Sequence, residues 1–113
     1  MSVGDIHWVE LPAADGHEQR GRRPAVVLQD DAFAGSSPVV LVVPLTTAVG
    51  TLRFSGTTLI QPTPENGLSR PSVALVFQLR AIDRRRLGER IGRVGEKVLR
   101  AIFTELDKLT GRH

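Results

Sequence analysis

Apolar positions run in short alternating or continuous stretches for the first ninety residues and switch to three-and-four spacing only at the end. From Gly4 to Leu11, Ile6 and Trp8 fall on one side and His7, Val9 and Leu11 on the other, which predicts a strand covered on both faces and stopped by Pro12. Ala13 to Arg23 reads as a glycine-punctuated loop, and Pro24 to Gln29 as a second strand. Asp30 to Ser37 is a loop with room for one helical turn. Pro38 to Leu45 gives the strongest strand signal, β-branched and apolar on both faces, and therefore central. Because Pro44 has no N–H, it must lie at a bulge or where a ladder ends. The chain is then expected to leave the sheet at Leu45-Thr46-Thr47, with two hydroxyls at the rim.

Ala48 to Phe54 reads as an irregular, mobile connection, Thr57 to Gln61 as a strand and Pro62 to Gly67 as a turn cluster. Ser72 to Ile82 alternates well enough for one long strand. Asp83 can cap a turn through Arg84-Arg85-Arg86, and Glu89 to Val94 can form a last strand. Val94, Val98, Leu99, Ile102, Phe103, Leu106 and Leu109 then mark an amphipathic helix, which Gly111 can terminate. Its apolar stripe must cover a sheet face or a partner. The sum is five to seven short strands and a C-terminal helix: α+β in broad terms, mainly β, a small barrel-like fold in a single domain over residues 1–113.

Composition narrows the chemistry. There is no cysteine, which excludes disulfides and thiolate chemistry, and His7, His17 and His113 are far apart, so no metal site and no cofactor is expected. No segment has the apolar length to span a bilayer, and the two carboxylates in residues 1–12 argue against a signal peptide, so a soluble, cytoplasmic protein is expected. The net charge of +3 is unevenly laid out. Up to Leu79 five Arg face seven carboxylates, whereas from Arg80 onward ten Lys and Arg face five. An anionic partner and a merely solvated basic face explain that equally well.

What remains is Arg, Thr, Ser, Glu and one well-placed His, and no G-x-S-x-G elbow supports acyl transfer. RNA cleavage fits this inventory, because the 2′-hydroxyl is a nucleophile the substrate already carries. The enzyme need only orient it, move its proton, neutralise charge on the phosphorane and assist the departing 5′-oxygen.

Four blocks carry a resemblance: Gly4-Asp5-Ile6-x-Trp8-Val9, then Gly16-His17-Glu18-Gln19-x-Gly21-x-Arg23-Pro24 running into Ala25 to Leu28, then Val43-Pro44-Leu45-Thr46-Thr47, then Gln78-x-Arg80-x-Ile82-Asp83. In this order they resemble the MazF/PemK toxin family. The resemblance implies an SH3-like, CcdB/PemK-like β-barrel homodimer. It also implies a metal-independent endoribonuclease that cuts single-stranded RNA at a short sequence, leaves a 2′,3′-cyclic phosphate and a 5′-hydroxyl, and is neutralised by a cognate antitoxin. Arg23 matches the family's catalytic arginine and Thr46 its catalytic threonine. Glu18 and Gln19 match loop positions that shape the site and contact RNA, His17 matches a histidine that some members use, and Thr47, Gln78 and Arg80 fall in the matching blocks as supporting or substrate-binding positions. PemK-type members carry an Arg and an Asp before the Gln-x-Arg block, where this chain has Leu75 and Phe77. Proton transfer then falls to Arg23 and Thr46 with His17 or Glu18, and since a guanidinium is a poor base at neutral pH, Arg23 is assigned mainly to charge stabilisation and the general base is left unassigned.

Two other readings compete. One is a CcdB-like toxin or inactive binding module that acts on a protein target such as gyrase; the other is a small SH3-like domain that binds peptide in a groove. Plain roles also stand beside the catalytic ones: Arg23 can pair with Glu18 to fix the loop, Thr46 can bond a backbone group at a strand end, and Trp8 can anchor the core or a dimer interface.

Overall fold

A computed structural model describes residues 1–12, 21–33 and 36–112. Seven strands and one helix follow in order: β1 (Asp5–Leu11), β2 (Gly21–Val27), β3 (Val39–Thr46), β4 (Thr57–Ile60), β5 (Ser72–Leu75), β6 (Arg80–Asp83), β7 (Leu87–Arg93) and α1 (Glu96–Leu109). All pairings are antiparallel, and the sheet runs β4-β5-β3-β2-β1-β7 with β6 also on β3. Between β6 and β7 there is no pairing among the described residues; the 3-10 turn Arg84–Arg86 carries the chain across. The fold is barrel-like without being a closed barrel.

Alternation along the strands builds two cores, one on each face. Ile6, Val26, Val43, Leu45, Ile60, Ala74, Val76 and Val94 pack under Ile102 of α1, with Val98, Leu99 and Leu106 of the same helix stripe against them. The helix thus covers a sheet face, as its three-and-four spacing requires. Val9, Leu11, Ala25, Val27, Val40, Val42 and Ile82 form the second core on the opposite face. Among the described residues no helix contributes to it, and the sheet curls on itself to keep those residues dry.

Strand β3 holds the sheet together. It pairs with β2 through Val42, Val43 and Pro44, and along its other edge with β6 through Val39 to Val42 and with β5 through Leu45 and Thr46. Pro44, opposite Ala25, is the last rung with β2 and also lies opposite the break between β5 and β6. A proline cannot donate to a ladder, and here it sits where neither neighbour needs it to.

Several expectations change. β2 begins at Gly21, not Pro24, because β1 continues to pair with it as far as Leu11↔Gly21. Thr46 is still in the ladder, opposite Val73, and is buried; only Thr47 reaches the rim. Val39 and Leu41 are exposed, so β3 is covered on both faces only from Val42 onward. The segment after Thr47 is not irregular but a 3-10 turn, Val49–Arg53, held by Thr51 and Phe54 amides that donate to the Ala48 and Thr51 carbonyls. Ser72 to Ile82 is not one strand. From Leu45↔Ala74 to Val42↔Arg80, three steps along β3 are matched by six along its partner. The three surplus residues bulge out as the 3-10 turn Val76–Gln78.

Short-range chemistry fixes the ends. Arg112 and Gly111 amides donate to the Asp107 and Lys108 carbonyls at 2.7 and 3.2 Å, closing α1 with Gly111 at φ 80°. The Pro62–Gly67 turn packs on β7 so closely that a Cβ at Gly92 would stand 2.5 Å from the Asn66 carbonyl carbon. Gly92→Ala should therefore cost about 1–3 kcal/mol through overpacking, read from urea unfolding midpoints.

Asp83 caps the arginine turn, accepting from the Arg85 amide at 2.9 Å and from the Arg85 guanidinium at 3.0 and 2.9 Å. The Arg85 side chain, then its backbone amide, holds the Asp83 carboxyl down at about 2. A depressed carboxyl stabilises the fold fully above its unfolded range near 3.8 and loses that contribution as pH falls toward 2. The stability gap between wild type and Asp83→Asn should be flat above pH 4, close as the carboxyl protonates, and shrink in high salt, all readable from thermal melts across pH.

Candidate functional site

Where the β2–β3 ladder stops, the two strands part. Continuing its register two residues past Ala25↔Pro44 sets Arg23 level with Thr46. Both are on the inner, curled face: Arg23 is opposite Val9 of the second core, and Thr46 is two residues beyond Pro44, itself opposite Ala25 of that core. The first two positions assigned to chemistry thus fall on the same face, just beyond the last rung of the β2–β3 ladder.

Arg23 is half-buried and has an interaction partner within the protein. Thr46 is 7% exposed, and its Oγ1 accepts the Ala48 amide at 3.1 Å. A hydroxyl has one hydrogen and two lone pairs, so this bond fixes the oxygen while leaving the O–H to donate elsewhere. A guanidinium and a hydroxyl are both donors of the kind that bind a phosphate.

The remaining positions are placed unequally. Thr47 is exposed directly beyond Thr46. Gln78 closes the bulge between β5 and β6, half-buried, and Arg80 opens β6 opposite Val42. Both take part in polar contacts. Arg80 is on the same inner face as Thr46, but Val42 is four residues, roughly 13 Å, along β3 from it. Gln78 and Arg80 do not share a strand face as simple alternation predicts, because Gln78 belongs to the 3-10 turn. His17, Glu18 and Gln19 lie outside the described residues.

Two features near the site escaped the sequence reading. Arg22 lies over the Trp8 ring, its Cζ 4.3 Å from the centroid, which makes Trp8 a stacking partner on the outer face. Phe54 and Phe77, from the turns on either side of β4 and β5, meet edge to face with centroids 6.4 Å apart while remaining 47% and 42% exposed. Their separation of twenty-three positions carries no periodic signal.

The architecture is a curled antiparallel sheet backed by one C-terminal helix, with an arginine and a threonine just beyond the end of the β2–β3 ladder. The family model of the PemK-like, MazF-like toxin of type II toxin-antitoxin systems matches residues 2–110. Endoribonuclease MazF of Staphylococcus saprophyticus is 29% identical over 113 residues, covering 100% of this chain and 93% of that protein. Among solved structures, MazF from Deinococcus radiodurans superposes with a TM-score of 0.83 at 28% identity, covering 98% of this chain and 96% of that one. A MazE-MazF structure from the same organism gives 0.76 at 28% identity, with 100% and 97% covered. The chain belongs to the PemK-like, MazF-like family of type II toxin-antitoxin toxins.

The Thr46 hydroxyl also has a structural job that can be measured apart from any reaction. Thr46→Val deprives the Ala48 amide of its acceptor and should cost about 1–2 kcal/mol in urea unfolding, whereas Thr46→Ser should cost markedly less.

Proposed function

We propose that the mouth between Arg23 and Thr46 is where a single-stranded RNA phosphodiester is cut, at a short recognised sequence and without a metal ion. The family makes this chain an endoribonuclease toxin of a type II toxin-antitoxin system, and the observation that supports this location is the level placement of Arg23 and Thr46 where the ladder ends. The 2′-oxygen of the substrate attacks its own phosphorus, the bond to the 5′-oxygen breaks, the 2′-hydroxyl proton leaves and the 5′-oxygen gains one. The products are a 2′,3′-cyclic phosphate and a 5′-hydroxyl.

Arg23 neutralises the charge that builds on the non-bridging oxygens, and the Thr46 O–H donates to one of them, the Thr46 oxygen being fixed by the Ala48 amide before substrate arrives. His17, Glu18 and Gln19 directly precede β2 in the sequence and complete the site: Glu18 and Gln19 contact RNA, and His17 or Glu18 handles the 2′-hydroxyl proton. Thr47, Gln78 and Arg80 bind the substrate on the other side. The protein acts as a homodimer in the cytoplasm and is neutralised there by a cognate antitoxin. Action on a protein target such as gyrase is not favoured, since the family relatives are ribonucleases by name.

Purified protein incubated with single-stranded RNA in EDTA should release fragments ending in cyclic phosphate, and a 2′-deoxy substitution at the cut position should abolish cleavage. Arg23→Ala and Thr46→Ala should each lower the single-turnover rate by about 100-fold or more. If either variant cleaves as fast as wild type, the role given to that residue is wrong.

A further inference from the structure

Arg23 lies on a thinly supported part of its strand. From Gly21 to Pro24, β2 runs beyond its last rung with β3, Ala25↔Pro44, and among the described residues it pairs there with β1 alone. A two-stranded ribbon is marginal unless its side chains lock it. Alternation turns Arg23 inward, opposite Val9, and sends its two sequence neighbours, Arg22 and Pro24, outward. There both meet one residue. Trp8 is directly opposite Pro24, and its ring lies under the Arg22 guanidinium, whose Cζ is 4.3 Å from the centroid.

We infer that Trp8 and Arg22 are positioning residues for Arg23, their stack on the outer face holding the backbone that aims the Arg23 guanidinium at the phosphate. This rests on the role given to Arg23 in the proposed function. Direct and diagonal cross-strand neighbours are the contacts through which a ribbon keeps its register, and an aromatic side chain reaches both. Register matters here because two arginines stand side by side. A slip of one residue would turn Arg22 inward and Arg23 outward, and the stack on Trp8 opposes it by keeping Arg22 outside. Trp8 is itself held from the β7 side. A Cβ at Gly88 would stand 3.0 Å from the Trp8 carbonyl oxygen, and the His7 Nδ1–H donates to the Gly88 carbonyl at 2.9 Å.

Charge separates this role from a plain RNA contact. Glu10, exposed and directly opposite Arg22, puts a carboxylate on the same outer face. A phosphate backbone approaching there meets an acid beside the arginine, whereas the face of the Trp8 ring accepts the cation without that conflict. The arginine that serves the substrate is then the inward one, and the outward one serves its neighbour.

Steady-state cleavage of a single-stranded RNA should separate the two roles. Arg22 is exposed, so removing its side chain leaves the cores intact. Arg22→Ala should lower kcat by about 10-fold and Trp8→Leu by about 30-fold, with KM within about twofold of wild type. Trp8→Phe, which keeps a ring under the cation, should stay within about threefold of wild-type kcat. Glu10→Gln should change neither constant. Without RNA, the amides of Gly21 to Arg23 should exchange with deuterium about 10-fold faster in Arg22→Ala, while those of Val26 and Val27 keep wild-type protection. A raised KM with unchanged kcat in Arg22→Ala would overturn the assignment and make Arg22 an RNA contact. So would unchanged exchange at Gly21 to Arg23, or a loss of kcat in Glu10→Gln as large as in Arg22→Ala. Wild type that leaves RNA intact would instead count against the nuclease reading, and the exchange result would then decide by itself whether the stack holds the Arg23 backbone.

Discussion

The missing N–H of Pro44 is the constraint on which the architecture turns. A strand that is central along most of its length must stop bonding on one side at that point, and β3 does: β2 is released, and the opposite edge is interrupted by a three-residue bulge. Release of β2 leaves Arg23 and Thr46 beyond the last rung of the β2–β3 ladder, and the bulge presents Gln78 and Phe77 between β5 and β6.

Around the end of that ladder the sheet supplies rigidity. The two faces of β1, β2 and β3 feed two cores, one under α1 and one inside the curl, so a shift of register by one residue would exchange them and expose both. Arg23 and Thr46 are thus held by strands whose positions are fixed on both sides.

The sequence by itself determined the class of fold, because alternation, three-and-four spacing and turn residues are local signals. It showed where β1, β3, β4 and α1 lie to within a residue or two, that Asp83 caps a turn, that Gly111 ends the helix, and that Pro44 marks an end or a bulge. It also singled out Arg23 and Thr46 through blocks of residues, although nothing in those blocks says how far apart the two are. What only the tertiary structure decided was everything that depends on which strands pair. Ser72 to Ile82 alternates like one strand because both halves do pair with β3; the three surplus residues appear only when the register on the two sides of the break is compared. Thr46 stays in the ladder, not beyond it, because β5 takes it up after β2 lets go. Phe54 and Phe77 meet because two turns converge there, and no periodicity within either segment can encode that meeting.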